Sequence, residues 1–284
     1  MTDAYPPWHE VHEVACEEGQ THYLDPETGY RVFTEIGLRA RGQCCGCGCR
    51  HCPWRGAETK PVRPSTTGRA PRWLTPAPTD LDPLTVVFWS GGKDSFLATR
   101  AALKENTHAS LVLLTSFGQT TQMVAHQELP IQNIVAQAEA LELPLVGVPL
   151  TPKADYTQAI VEALRFVAAE HTIEALVFGD LHLEYIRAWR EKQFEVIADA
   201  LGCELKFPLW QRDYRHLEAD LDASGAQARV CASPDFARIS PVVRGDRFGR
   251  ALIEKLPLGI DAFGENGEFH TEVLSESLTP HHLR

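Results

Sequence analysis

From residue 84 onward the chain alternates between two hydrophobic patterns. Short runs rich in Val, Leu and Phe occur at 84–89 (LTVVFW), 109–117, 144–150, 174–179 and 203–209. They show little polar alternation, which predicts strands covered on both faces. Between them, at 94–105, 130–141, 156–170 and 184–201, apolar residues recur every three or four positions. Ile131, Ile134, Ala138 and Leu141 share one helical face. Tyr185 and Trp189 stand four apart, then Phe194, Ile197 and Leu201 three and four apart, with Arg187, Arg190, Glu191 and Lys192 on the other side. Strand and helix in alternation predict an α/β fold with right-handed crossovers, its parallel sheet layered by helices. Ligands of such sheets collect beyond the carboxyl ends of the strands.

Before residue 84 this pattern is missing. Residues 57–83 hold Pro61, Pro64, Pro71, Pro76, Pro78 and Pro83 among Ser, Thr and Gly, which predicts an extended linker. Residues 1–56 form a short cysteine-rich module. The expected organisation is thus a module at 1–56, a linker at 57–83 and one α/β domain at 84–284. A length of 284 residues agrees with about two domains. The formal net charge of -11 opposes a chain built throughout to coat nucleic acid. The charge is uneven, however. Residues 1–35 are acidic, whereas 39–72 carry Arg39, Arg41, Arg50, Arg55, Lys60, Arg63, Arg69 and Arg72 against Glu58 alone, leaving RNA contact through that segment open. The start of the chain has neither a cationic run nor an apolar stretch, and no apolar run approaches the roughly 18 residues that span a bilayer. The expectation is a cytoplasmic protein without membrane association.

The first strand ends in Ser90-Gly91-Gly92-Lys93-Asp94-Ser95, and a helical pattern follows at once. Two glycines allow a sharp turn and bring backbone N–H groups close to an anion, and the helix N-terminus adds partial positive charge. Ser90 and Ser95 offer hydroxyls and Lys93 a charge, while Asp94 suits a magnesium ion or a helix cap. The G-x-x-x-x-G-K-[ST] loop does not fit, since Val87 stands where its first glycine belongs. A plain strand-to-helix turn is the competing explanation.

The hexapeptide resembles the pyrophosphate loop of the PP-loop ATP pyrophosphatase superfamily, whose HUP-like α/β domains split ATP between the α and β phosphates to adenylate a substrate. Further on stands Gly264-Glu265-Asn266-Gly267-Glu268-Phe269-His270-Thr271, with FGD at 178–180 and PLWQRD at 208–213. Together these resemble the diphthine–ammonia ligase family over about 84–275. Ala262-Phe263 departs from the Pro-Cys or Pro-Ala usual there. The resemblance implies ATP with Mg2+, bound by Ser90, Gly91, Gly92, Lys93, Asp94, Ser95, Thr115, Ser116, His126, Gly179 and Asp180. It implies substrate contacts at Gly264, Glu265, Asn266 and Gly267, and catalytic roles for Lys93, Asp94, Glu265, Glu268 and His270. The implied reaction adenylates a carboxylate, carried on a small molecule or on a protein such as a translation factor, and amidates it with ammonium. In physical terms the string places two carboxylates and an imidazole within six residues; carboxylates suit a cation, and an imidazole suits proton removal. A glycine-punctuated hairpin whose charges face water fits the composition as well.

Five of the eight cysteines lie in CCGCGCRHC at 44–52. Thiolates at this density point to a metal rather than a disulfide framework. The surrounding sequence resembles a small cysteine-rich domain of unknown function in which Cys44, Cys45, Cys49 and Cys52 are the matching cysteines; these four are the expected ligands of Zn2+ or an iron–sulfur cluster, a reactive or incidental thiol cluster being the competing explanation. Besides the ligase, two other functions remain open: an adenylating enzyme acting on a tRNA base, and a non-catalytic ATP-binding scaffold.

Overall fold

The computed structural model describes residues 6–26, 31–40, 50–53, 70–79, 81–152 and 154–283. The chain divides into two compact units, Met1–Ser65 with Thr151–Lys153, and Thr66–Leu150 with Ala154–Arg284. The division at 65/66 falls inside the proline-rich stretch.

The smaller unit contains α1 (Trp8–Glu17), an antiparallel pair β1 (His22–Leu24) and β2 (Arg31–Phe33), and α2 (Glu35–Arg39). Thr34 caps α2, its Oγ1 accepting from Gly37 N at 3.1 Å. Ala15, Tyr23 and Leu38 are buried. The buried Asp25 pairs with Arg50 at 2.6 Å, and the rings of His12 and His51 stack with centroids 3.5 Å apart. Of the four expected metal ligands only Cys52 is a described residue. Cys44, Cys45 and Cys49 lie outside the described residues.

The larger unit is built on a six-stranded sheet. Its strands are β3 (Arg72–Trp73), β4 (Leu84–Phe88), β5 (Ser110–Gly118), β8 (Leu145–Leu150), β9 (Ile173–Val177) and β10 (Glu204–Lys206), in spatial order β10-β9-β4-β5-β8-β3. Five run parallel and match the predicted runs to within a few residues. β3 is the exception, pairing antiparallel with β8 (Trp73 with Val146). The last part of the expected linker therefore belongs to the sheet, where Leu74 N donates to Leu145 O at 2.8 Å and Thr75 Oγ1 accepts from Leu145 N at 2.8 Å.

Helices α3 (Lys93–Glu105), α4 (Ile131–Ala140), α5 (Tyr156–Ala168) and α6 (Glu184–Leu201) coincide with the four predicted helices. Alternate residues of the strands feed two buried clusters. Val87, Leu111, Leu113 and Phe117 pack with α3 and α4, and Val86, Val112, Leu114 and Val148 with α5 and α6. A short antiparallel pair, β6 (Met123–Val124) and β7 (Leu129–Pro130), precedes α4. Beyond the sheet come α7 (Tyr214–Ser224), β11 (Ala228–Ala232), α8 (Arg250–Ile253) and β12 (His270–Val273), with β11 and β12 forming a separate antiparallel pair. Among the described residues no helix is long and apolar enough to cross a membrane.

Candidate active site

The loop at 90–95 leaves the carboxyl end of β4, the central strand, and turns directly into α3. Gly91 has φ 82°, in the left-handed region. A Cβ there would lie 2.3 Å from Ile134 Cδ1, so glycine provides both the turn and the close approach to α4. Gly92 caps α3 without a side chain, leaving the helix N-terminus to be completed by other groups. Ser95 Oγ donates to Gly92 O at 2.9 Å, and Ser90 Oγ is 3.4 Å from both Gly92 N and Ser95 Oγ. At the neighbouring strand end, a Cβ on Gly179 would sit 3.0 Å from the Asp94 carbonyl atoms; its absence lets the end of β9 approach the loop.

The Gly264–Thr271 string meets this loop. Thr271 Oγ1 accepts from Lys93 N at 3.1 Å, Val273 N donates to Gly91 O at 2.8 Å, and Lys93 Nζ donates to Phe263 O at 2.6 Å and to Asp94 Oδ2 at 2.9 Å. Lys93 is 2% exposed. Its ammonium lies 5.1, 5.0 and 5.8 Å from the ring centroids of Phe248, Phe263 and Phe269. Lys93 is thus enclosed against the string rather than extended over the loop, and Phe263, the residue that departs from the family pattern, supplies part of the enclosure.

The string is not a hairpin with its charges in water. Glu268 is 3% exposed. Its Oε1 accepts from Asp261 N at 3.1 Å and Asn266 Nδ2 at 3.3 Å, while Oε2 is buried with no hydrogen-bond partner among the described residues. Glu265 Oε1 accepts from the amides of Leu181 and His182, both at 3.2 Å, just past the end of β9. Burial raises the pKa of Glu265, and the charge of Asp94 raises it further. Burial likewise raises that of Asp94, against the pull of Lys93. His270 is lowered to about 3, first by burial and then by His126 and Lys93. Its ring lies 5.8 Å from that of the exposed His126, on the turn between β6 and β7.

Thr115 and Ser116 continue β5 past the end of β4. Thr115 is buried, and its Oγ1 has no hydrogen-bond partner among the described residues. Asp94 Oδ1 is likewise buried and unpartnered. The Asp180 carboxylate pairs with Arg190 of α6 at 2.6 Å. Two important residues escaped the sequence reading. Asp261 Oδ1 accepts from Phe263 N at 2.9 Å and Glu265 N at 3.0 Å, and Tyr214 OH donates to Asp261 Oδ2 at 2.9 Å. Gln137 of α4 is fully buried and reaches the loop. A signal for it existed, since a glutamine stands beside Ala138 on an otherwise apolar helix face. Next to the string, a hollow of about 460 Å³ is lined by His182, Gln211, Arg212, Asp213, Tyr214 and Arg215.

A glycine loop between a central parallel strand and a helix, with orphaned polar atoms at the strand ends, defines the larger unit as an α/β domain whose candidate site lies at the carboxyl ends of its strands. Residues 84–204 match the family model described as the diphthamide synthase N-terminal domain. Residues 11–58 match a family of unknown function, DUF5522. A solved structure from Methanocaldococcus jannaschii, described as a predicted subunit of tRNA methyltransferase, is 18% identical over 68% of this chain and 96% of that chain, with a TM-score of 0.35.

Proposed function

We propose that the chain is an ATP-dependent ligase that adenylates a substrate carboxylate and amidates it with ammonia. A carboxylate oxygen attacks the α-phosphorus and pyrophosphate leaves; ammonia then attacks the acyl carbon and AMP leaves. The observation that carries this reading is the junction of loop and string. Lys93 N and Nζ bind Thr271 and Phe263, so the glycine loop is tied to both ends of the string that carries the buried, unpartnered Glu268 Oε2.

The phosphates suit the Gly92 amide, the Ser90 hydroxyl and the N-terminus of α3, which act as fixed donors for charge developing on pyrophosphate. A Mg2+ ion fits the orphaned Asp94 Oδ1, because magnesium needs only one or two carboxylates alongside phosphate oxygens and water. When bound it neutralises phosphate charge. Thr115 Oγ1 offers a further polar contact to the nucleotide. Ammonium suits Glu265 and Glu268. Its proton passes more readily to Glu265, whose affinity for protons is raised, than to His270, whose imidazole at about 3 is too weak a base. The hollow at 182 and 211–215, with Arg212 and Arg215 on its rim, suits the acceptor carboxylate.

Pyrophosphate release tests the reading. With Mg-ATP and ammonium, a panel of carboxylates, free and protein-borne, should include one that drives release dependent on both. Release with no ammonium requirement, or none across the panel, would remove the ligase assignment. Cys44, Cys45, Cys49 and Cys52 are proposed to hold Zn2+ or an iron–sulfur cluster in the smaller unit, and metal analysis of anaerobically purified chain checks this.

A further inference from the structure

We propose that Gln137 is a positioning residue of the nucleotide loop: its buried carboxamide holds the Gly91 carbonyl so that the N–H of the Gly91–Gly92 peptide faces the anion site. This inference rests on the loop being the ATP site.

Gln137 is fully buried within α4, where an amide is costly unless its hydrogen bonds are made. All of its partners come from outside its own helix. Nε2 donates to Gly91 O at 3.0 Å and to Val273 O at 2.6 Å, and Oε1 accepts from Trp89 Nε1 at 2.9 Å. The orientation of the amide follows from these partners. Turned over, it would set Oε1 against two carbonyl oxygens and Nε2 against an indole N–H.

Gly91 O therefore receives two hydrogen bonds, one from Gln137 and one from Val273 N at 2.8 Å. A trans peptide is planar, and its N–H points opposite to its C=O. With the Gly91 carbonyl turned to Gln137 and β12, the Gly92 N–H must point the other way, toward Ser90 Oγ at 3.4 Å and the mouth of the loop. That contact is long enough to be replaced by a phosphate oxygen. Glycine on both sides of this peptide offers no side chain to hold it, so the carboxamide adds a second constraint to the one that Val273 N supplies. The same amide joins the loop to Val273, two residues after the string, so the cradle and the proposed ammonium site share one support.

The test uses the full chain and Mg-ATP, with binding measured by titration calorimetry and folding by thermal melting. Gln137→Met fills the volume without donors; Gln137→Glu is isosteric and carries the test if the first variant does not fold. ATP affinity should fall at least tenfold in either variant near pH 8. In Gln137→Glu it should recover relative to wild type as the pH is lowered to 6, because the neutral carboxyl regains one donor, whereas Gln137→Met should show no such recovery. A merely structural glutamine would lower the melting temperature and leave ATP affinity unchanged. Folded variants that bind within twofold of wild type overturn the inference alone. A wild-type chain that fails to bind Mg-ATP overturns the ATP reading and this inference with it.

Discussion

Lys93→Met removes one charge from the junction between loop and string and keeps nearly the same length of side chain. The ammonium is enclosed at 2% exposure, with Phe263 O and Asp94 Oδ2 as acceptors and three phenylalanine rings around it. Removing one partner of a buried ion pair costs about 3–5 kcal/mol when the other is left charged and enclosed. Two features reduce that figure. The Asp94 side chain retains 32% of its exposure, and burial already raises its pKa, so it can take up a proton instead of remaining an uncompensated charge. We therefore expect a loss of about 2–3 kcal/mol near pH 7, which for a domain of this size is a drop of roughly 4–12 °C in melting temperature.

The pH dependence separates this explanation from simple loss of packing. With the folded pKa of Asp94 above its unfolded value, the folded chain binds the extra proton, and stability falls as pH rises from about 4 through the folded value. Without Lys93 the folded pKa rises further, and the falling limb should extend to higher pH. Melting of wild type, Lys93→Met and Lys93→Met/Asp94→Asn between pH 4 and 8 reads both effects, and the double variant should lose the added slope. A Lys93→Met chain that melts within about 1 °C of wild type, with an unchanged pH profile, would refute the reasoning. Unchanged melting with lost ATP binding would assign the ammonium to the phosphates instead.

Gly91→Ala should destabilise the domain by at least about 2 kcal/mol, since alanine is strained at φ 82° and its Cβ would overlap Ile134 Cδ1; thermal melting checks it. Glu265→Gln should leave Mg-ATP binding within about threefold of wild type while slowing the ammonium-dependent step at least tenfold, in keeping with a proton-accepting role. Lost ATP binding would place Glu265 in the nucleotide pocket. His270 is held neutral in the fold at a value of about 3 against an unfolded value near 6.5, so its unfolded form binds more protons and stability declines as pH falls below 6.5. His270→Gln should therefore lose less melting temperature than wild type between pH 8 and pH 5.

The central strands and their four helices were legible because burial on both faces writes continuous Val, Leu and Phe runs, and helix packing writes a three-and-four repeat. The loop was legible because its chemistry lies in six consecutive residues. β3 was not, being two residues among prolines whose pairing depends on Val146 and Gly147 far along the chain. In α7 the buried positions reduce to Leu217, Leu221 and Ser224 among charges, too few to stand out. Asp261 and Gln137 are single polar residues whose importance comes from partners at long range, with Gln137 bonded across 46 and 136 positions of sequence. The ion pair of Asp180 with Arg190 on the adjoining helix is of the same kind, joining residues that the sequence pattern treats separately.

The family match ends at 204, yet the loop it contains is not complete by then. Gly91 O, Lys93 N and Lys93 Nζ all find partners between Phe263 and Val273. A buried polar group left without its partner costs about 1–3 kcal/mol, and more when charged, so residues 84–204 alone would hold a strained or rearranged cradle. The glycine loop and the acidic string are therefore not independent segments that happen to adjoin. Each fixes the backbone of the other through Lys93, Gln137 and β12. Any movement of the string on receiving an acceptor must be felt at the Gly91–Gly92 peptide, where the phosphates would sit. Under the proposed reaction, in which adenylation precedes attack by ammonia, these contacts would link the acceptor side of the site to the loop that would hold the phosphates.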